Sequence, residues 1–256
     1  MFKDLGGKMA KIISLLNFKG GVGKTTSTHS IGSALSTFEK KVLLVDMDPQ
    51  GTLTFFSMED SPNLSVWEVL AEKKDIENCV EKLEEFDLLP STIELTLAEL
   101  ELNSSYNKEF RLKKAIDKIK DKYDFILIDC PPSLSIFTLN ALATSTDLII
   151  PCECELASME GLNLLLKVLK SPIKHLNPEL NLLGILPTKL DGRKKISGEV
   201  HEMLLNTHSK VLPAIRINSK LSEIGIEKIS IFKADKSSNG AKDYLNVAKV
   251  ILNDSK

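Results

Sequence analysis

The sequence lacks the features of a secreted or membrane-inserted protein. No apolar run is long enough to cross a bilayer, and the first residues have no apolar core of a signal peptide. The four cysteines, Cys79, Cys130, Cys152 and Cys154, form no disulfide framework in a chain of 256 residues. We therefore expect a cytoplasmic protein with no membrane partner.

An excess of charge of one sign is also absent. The chain has 33 Lys and Arg against 35 Asp and Glu, a net charge of −2, so any contact with DNA must come from a local patch. Repeats and low-complexity linkers are lacking too, and 43% apolar residues fit one soluble globular domain. Met9 can serve as a second start, so we expect residues 1–10 to be an extension outside the fold and residues 11–256 to be one domain.

A glycine-rich loop follows the first apolar run of the chain. Residues 12–16 predict a buried strand, and apolar residues from Ile31 onward recur at helical spacing after the loop. A strand, a glycine loop and a helix are the context of a phosphate-binding loop, in which backbone N–H groups surround the phosphate. Lys24 would add its charge, and Thr25 a hydroxyl for Mg²⁺. The predicted nucleotide-binding residues of the loop are Lys19, Gly20, Gly21, Val22, Gly23, Lys24, Thr25 and Thr26.

Apolar runs typical of buried strands alternate with helical patterns such as residues 111–120. Such an order predicts a doubly wound α/β fold, a mostly parallel sheet with helices on both faces and ligands beyond the carboxyl ends of the strands. The further predicted strands are residues 41–46, 86–89, 125–129, 148–151 and 182–186.

Three carboxylates stand at the ends of two of these strands. Asp46 and Asp48 end one strand, and Asp129 ends another, as expected for a Walker B residue. We assign water positioning to Asp48, organisation of the metal site to Asp46, and Mg²⁺ or a Mg²⁺-bound water to Asp129. An alternative for the first pair is that the two acids cap the turn before Pro49.

The residue before the glycines adds a narrower indication. Lysine at position 19, next to Phe18 where the general pattern has glycine, marks the deviant Walker A family, which includes partition ATPases, cell-division site selectors and nitrogenase iron proteins. Six segments in the same order resemble the ParA/Soj partition ATPases. They are residues 19–26, 45–51 (VDMDPQG), 88–91, 123–133 (YDFILIDCPPS), 140–142 and 153–162.

This resemblance implies an ATP- and Mg²⁺-dependent cycle. ATP would close two subunits face to face, with Lys19 contacting the partner's nucleotide, and Lys19, Lys24 and Asp48 would carry catalysis. The closed dimer would bind double-stranded DNA of any sequence and associate with the nucleoid, and a ParB-like partner would stimulate hydrolysis. The chain resembles the short subclass without an operator-reading domain. Asn218 would contact the nucleotide, although the Pro-Arg-Asn of the family is replaced by Arg216-Ile217-Asn218.

Basic residues cluster near the end of the chain. Lysine and arginine suffice for contacts with DNA phosphates, which carry no sequence information. The alternative is a solvated charged face. The predicted DNA-binding residues are Arg193, Lys194, Lys195, Arg216 and Lys220.

Three other functions remain open at this point. A MinD-like regulator would cycle on membranes through its C-terminal helix, although residues 244–252 are more typical of core packing. An iron–sulfur carrier would need a second cysteine pair beside Cys152 and Cys154, and the sequence has none. A positioning ATPase for a protein cargo would share the same core.

Overall fold

The computed structural model describes residues 10–103 and 106–254, and within them seven strands form one sheet. The order across the sheet is β3-β4-β2-β5-β1-β6-β7, and every neighbouring pair is parallel except β3 and β4. The strands are β1 (Lys11–Leu15), β2 (Val42–Asp46), β3 (Glu81–Lys82), β4 (Asp87–Leu89), β5 (Phe125–Asp129), β6 (Asp147–Glu153) and β7 (Asn181–Thr188).

Helices connect these strands, together with short 3₁₀ turns at Ile76–Asn78, Lys108–Phe110 and Lys120–Lys122. The α-helices are α1 (Lys24–Ser36), α2 (Thr52–Ser57), α3 (Val66–Leu70), α4 (Leu95–Asn103), α5 (Arg111–Ile116), α6 (Ile136–Thr144), α7 (Leu156–Leu176), α8 (Lys195–Thr207), α9 (Lys220–Glu227), α10 (Ile231–Ala234) and α11 (Asn239–Asn253).

Two apolar cores lie on the two faces of the sheet, because successive side chains of a strand point to opposite faces. On one face Ile12, Leu43 and Ile126 pack against helices α3 to α7. On the other face Ile13 and Leu44 pack against helices α1, α9, α10 and α11. The predicted fold class, a doubly wound and mostly parallel sheet covered on both faces, is confirmed.

The strands predicted from the sequence agree with those observed to within two residues at either end. The observed strands β6 and β7 extend up to two residues further than predicted, and β3 has no counterpart in the prediction because its two residues are both charged. The helix predicted over residues 111–120 ends earlier, at Ile116. Beyond that point the amides of Lys118 and Ile119 donate to carbonyls three residues back, at 3.1 and 3.0 Å, so the chain leaves the α-helix through a tighter turn.

The extension predicted for residues 1–10 lies outside the described residues, except for Ala10. No helix in the described part of the chain combines the length and the hydropathy needed to cross a membrane.

Candidate nucleotide-binding site

The loop between β1 and α1 has the backbone that its glycines allow. Gly21 and Gly23 adopt φ of 73° and 88°, a left-handed region that favours glycine. A Cβ placed on Gly20 or Gly21 would meet no atom within 4 Å, so open space lies beside the loop. The loop is held from behind, because the hydroxyl of Thr188 at the end of β7 donates to the carbonyl of Val22 at 2.8 Å.

Lys24 begins α1 and is only 7% exposed. Its Nζ donates to the carbonyl of Lys19 at 3.4 Å, across the inside of the loop. Burial lowers the pKa of Lys24, and the nearby charges of Asp129 and Asp48 oppose that shift. The ammonium therefore lies at a helix N-terminus, where one bound anion could interact with both the ammonium and the free N–H groups of the helix.

Thr25 and Asp129 form the second half of the site. The Thr25 hydroxyl donates to one carboxylate oxygen of Asp129 at 2.6 Å, and the hydroxyl of Thr28 lies 3.4 Å from the other. Thr26 occupies the same first turn of α1 and is partly buried. A hydroxyl and a carboxylate in direct contact are the oxygen ligands that Mg²⁺ takes, so this pair fits a magnesium site beside the phosphate loop.

Asp46 is fully buried and has three hydrogen-bond donors. Its oxygens accept from the amide of Asp48 at 3.1 Å, the amide of Thr54 at 2.9 Å and the hydroxyl of Thr54 at 2.8 Å. Burial raises the pKa of Asp46 to about 6, and these hydrogen bonds oppose the shift. The observed contacts tie Asp46 to the start of α2 and to the backbone of Asp48, so it organises the loop that presents Asp48.

Asp129 sits beside Asp46 in the sheet, since the parallel pairing of β2 and β5 places the two residues in register. Burial raises the pKa of Asp129, and the neighbouring carboxylate of Asp46 raises it further. The Thr25 hydrogen bond and the charge of Lys24 lower it again. Two buried acids therefore share one buried lysine, and a divalent cation bound at Asp129 would offset the excess of negative charge.

Asp48 lies past the end of β2 and is partly exposed. Its Oδ1 accepts the amide of Gln50 at 2.9 Å, which is the local turn expected if the acid caps the bend before Pro49. The turn uses one oxygen of Asp48 and leaves the carboxylate near Lys24, whose pKa it influences. Capping of the turn and water positioning are therefore compatible.

Lys19 does not point into the loop. Its Nζ forms an ion pair with Glu155 and lies 3.5 Å from Oε2 of Glu153 and 3.2 Å from Oγ of Ser158. Glu153 also pairs with Lys189 at 3.3 Å.

The five residues predicted to bind DNA lie in two loops that run side by side, or at the first residue of the helix that follows each loop. The amide of Ile217 donates to the carbonyl of Leu190 at 3.0 Å, which joins the segment after β7 to the segment before α9. Four of the five cations contact carboxylates of the chain. Arg193 pairs with Asp191 (2.9 Å), Lys195 with Glu199 (3.3 Å), Arg216 with Asp243 (2.7 Å) and Lys220 with Glu223 (2.5 Å), while Lys194 is exposed just before α8.

Asn218, the predicted nucleotide contact outside the loop, lies in the second of these segments. Its Oδ1 accepts the amide of Lys220 at 2.9 Å, at the start of α9. Its side-chain nitrogen donates no hydrogen bond to any of the residues that the structure describes, so this nitrogen is available as a donor.

Reasoning from the sequence missed residues that shape the site from outside the motifs. Asn17 donates to the carbonyl of Pro151 at 2.7 Å and accepts the amide of Lys19 at 3.0 Å, which fixes the start of the loop. Thr54 holds Asp46, as described above, and Thr188 holds the loop. A polar residue directly between a buried strand and a glycine loop was a signal that pointed to Asn17, whereas the partners of Thr54 and Thr188 become apparent only in the fold.

Comparison with known proteins shows which family the chain resembles. A family model described as an AAA domain matches residues 10–182. The sporulation initiation inhibitor protein Soj of Bacillus subtilis (strain 168) is 38% identical over 252 residues, covering 95% of this chain and 98% of that protein. The chromosome-partitioning ATPase Soj of Treponema pallidum (strain Nichols) is 38% identical over 251 residues, with the same two coverages.

A solved structure extends the likeness to three dimensions. A Mycobacterium smegmatis protein described as cobyrinic acid a,c-diamide synthase, with bound ATP analogue and magnesium, superimposes with a TM-score of 0.83 at 35% identity. The match covers 95% of this chain and 94% of that one.

Proposed function

Because the chain belongs to the ParA/Soj family of partition ATPases, we propose that it is an ATP-driven DNA-partition switch that works as a dimer. ATP and Mg²⁺ are its cofactors, as in the related structure that carries an ATP analogue and magnesium. The observation that carries the proposal is the contact of Thr25 with Asp129 beside the buried Lys24. This contact lies next to a glycine loop in which two glycines have positive φ.

The residues of the loop would bind and orient the triphosphate. The amides of Gly20 to Gly23 and the N-terminus of α1 would surround the phosphates, and Lys24 would offset their charge. Thr25 and Asp129 would hold Mg²⁺, which supplies positive charge to the phosphate oxygens. Asp48 would orient the attacking water in line, and Asp46 would keep the Asp48 loop in place through its three hydrogen bonds.

Lys19 would complete the site of a second subunit. It lies at the carboxyl edge of the sheet on the loop itself, and its side chain is 38% exposed, so it can reach a neighbouring molecule. A dimer closed over two nucleotides would bring one such lysine to each pair of phosphates. Hydrolysis would then remove the contact between Lys19 and the partner's γ-phosphate, so the dimer would last only as long as ATP is intact.

DNA binding would depend on the two adjacent basic loops after β7 and before α9. These loops leave the same edge of the sheet as the phosphate loop, since Thr188 at the end of β7 bonds Val22 directly. Dimer closure would therefore bring two copies of the basic loops together along one duplex. Glu199 is exposed and Glu223 partly exposed, and DNA phosphates would compete with them in a salt-dependent manner. Asp191 and Asp243 are buried, so Arg193 and Arg216 would contact phosphates while still paired with these two acids.

A ParB-like partner would stimulate hydrolysis, which would be slow without it, and the dimer would act in the cytoplasm on nucleoid DNA of a plasmid or chromosome. A membrane-cycling function has less support. The helix that would bind the lipid surface, α11, turns Tyr244, Val247, Ala248 and Ile251 into the core instead.

Sedimentation of the purified protein tests the proposed dimer. With Mg²⁺ and ATP or a non-hydrolysable analogue the protein is expected to sediment as a dimer, and with ADP as a monomer. Lys24→Ala should remain monomeric because it loses the nucleotide, whereas Lys41→Ala, which removes an exposed lysine at the opposite end of β2, should behave as wild type. A monomer under every nucleotide condition would contradict the proposal.

A further inference from the structure

Lys19 is retained by an acidic pair at the junction of β6 and α7, Glu153 at the end of the strand and Glu155 just before the helix. Its ammonium pairs with Glu155, the residue before the first turn, and lies 3.5 Å from Glu153 and 3.2 Å from the hydroxyl of Ser158. The backbone directs it there, because the Lys19 amide donates to Asn17 and fixes the loop at its first residue.

This position is unfavourable for an ammonium without the two acids. The N-terminus of a helix carries the positive end of its dipole, and α7 is 21 residues long. A lysine there is stable because Glu153 and Glu155 supply the opposite charge. Glu153 and Glu155 thus determine the position of the Lys19 ammonium.

We propose that Glu155, assisted by Glu153, is a positioning residue that holds Lys19 in a contact within its own subunit until a bound nucleotide and a second subunit draw it away. This inference rests on the proposed function. While the ammonium of Lys19 donates to Glu153 and Glu155, its N–H groups are not available to phosphate oxygens. Closure of the dimer therefore exchanges an intrachain ion pair for an interchain contact.

The exchange leaves no buried charge unpaired. Lys189 lies 3.3 Å from Oε1 of Glu153, the oxygen that Lys19 does not contact, so Glu153 keeps a cation when Lys19 departs. The Glu155 side chain is 47% exposed and would be solvated. Ion pairs of this exposure contribute little, and the retaining contact should shift the ATP requirement for dimer formation by about two- to fivefold.

Glu155→Gln tests the retention, and Glu179→Gln, in the loop that follows the other end of α7, is the control for loss of one exposed carboxylate. The ATP concentration that gives half of the dimer by sedimentation should fall about two- to fivefold in Glu155→Gln and stay unchanged in Glu179→Gln. An unchanged ATP requirement in Glu155→Gln, or an equal fall in Glu179→Gln, would overturn the proposal.

A second readout needs neither ATP nor a dimer. In the nucleotide-free protein, acetylation by acetic anhydride followed by mass spectrometry should label Lys19 severalfold faster in Glu155→Gln than in wild type or Glu179→Gln. An unchanged rate would show that the acids do not hold Lys19 and would overturn the retention. Faster labelling combined with a wild-type protein that never dimerises would overturn the release step and the proposed function together, while the contact itself would stand.

Discussion

Three charged side chains are buried around the phosphate loop, and each has specific neighbours that offset the cost of its burial. Lys24 faces Asp129 and Asp48, Asp129 receives the Thr25 hydroxyl, and Asp46 receives three hydrogen bonds. Burial of an isolated charge costs several kcal/mol, so such a cluster is found where a ligand uses it. At this scale the chemistry is that of a site arranged in advance for phosphate and a divalent cation.

The motifs predicted which residues meet at this site, but not what supports them. Lys24, Thr25 and Asp129 were identified because a glycine loop after a strand and an acid ending another strand converge at one edge of a parallel sheet. Thr54 follows Asp46 by eight residues and Asn17 pairs with Pro151, and no local pattern announces either contact. Side-chain partners that are distant in sequence can be identified only once the fold is known.

Thr54→Val should destabilise the protein through the Asp46 loop. The Thr54 hydroxyl donates to Asp46 at 2.8 Å and accepts the amide of Ser91 at 2.8 Å, so its loss leaves the Ser91 amide without a partner and removes one of the three donors of the buried Asp46. We expect the free energy of unfolding, measured in urea, to fall by about 2–4 kcal/mol. Thr52→Val, at a partly exposed position of the same helix, should change it by less than about 0.5 kcal/mol. Equal effects of the two substitutions would contradict this role.

His29 should make the stability depend on pH. The ring is 2% exposed, lies edge-on to Phe86 with centroids 5.3 Å apart, and its Nδ1 has no hydrogen-bond partner among the described residues. Burial lowers its pKa from 6.5 to about 4. Below pH 6.5 the histidine therefore binds a proton in the unfolded chain but stays neutral in the folded chain. The free energy of unfolding consequently falls as the pH drops from 6.5 towards 4.

Urea unfolding at pH 7.5 and 5.5 measures this effect. The buried histidine should lower the free energy of unfolding by about 1.4 kcal/mol at the lower pH, and His29→Phe should lack that component. Buried acids such as Asp46, whose pKa is raised to about 6, act in the opposite direction but equally in both proteins. His175→Gln, which changes an exposed histidine, should keep the wild-type pH dependence. The prediction is wrong if His29→Phe keeps it as well.

At the scale of elements, the strands could be predicted from the sequence, whereas the helices in the last quarter of the chain could not. Buried parallel strands are continuous apolar runs, which the sequence displays openly, whereas β3 is two charged residues paired only with β4. No helix was predicted over the segments that form α8, α9 and α10, and the limits of these helices depend on packing. Helix α9, for example, packs against α2 through a glycine.

Gly225 should prove essential to that packing. A Cβ on Gly225 in α9 would overlap the ring of Phe56 in α2. Gly225→Ala is expected to lower the free energy of unfolding by about 1–3 kcal/mol, because a crowded core must shift to accept a methyl group. Gly198→Ala, in α8 with no atom near the added Cβ, should be neutral or raise stability by about 0.5–1 kcal/mol. Midpoints of urea unfolding compare the two, and similar changes would contradict the packing account.

At the scale of the whole molecule, one edge of the sheet carries everything that the proposed cycle needs. The phosphate loop, the metal ligands, Lys19 and the two basic loops all follow the carboxyl ends of strands β1, β2, β5 and β7 or the segments joined to them. A second molecule that closed over this edge would cover the nucleotide and align the cations at once. In the proposed cycle this arrangement would couple the state of the nucleotide to DNA binding without any motion inside the sheet.

Binding to random-sequence duplex DNA, measured for wild type and Asp48→Ala with ATP, with ADP or with neither, is the most direct test of this coupling. We expect salt-sensitive binding only with ATP, and tighter binding by Asp48→Ala because its dimer cannot hydrolyse the nucleotide. Arg193→Ala combined with Lys220→Ala should weaken binding without changing dimer formation. Binding that ignores the nucleotide, or no binding by the ATP-bound dimer, would contradict the proposed function.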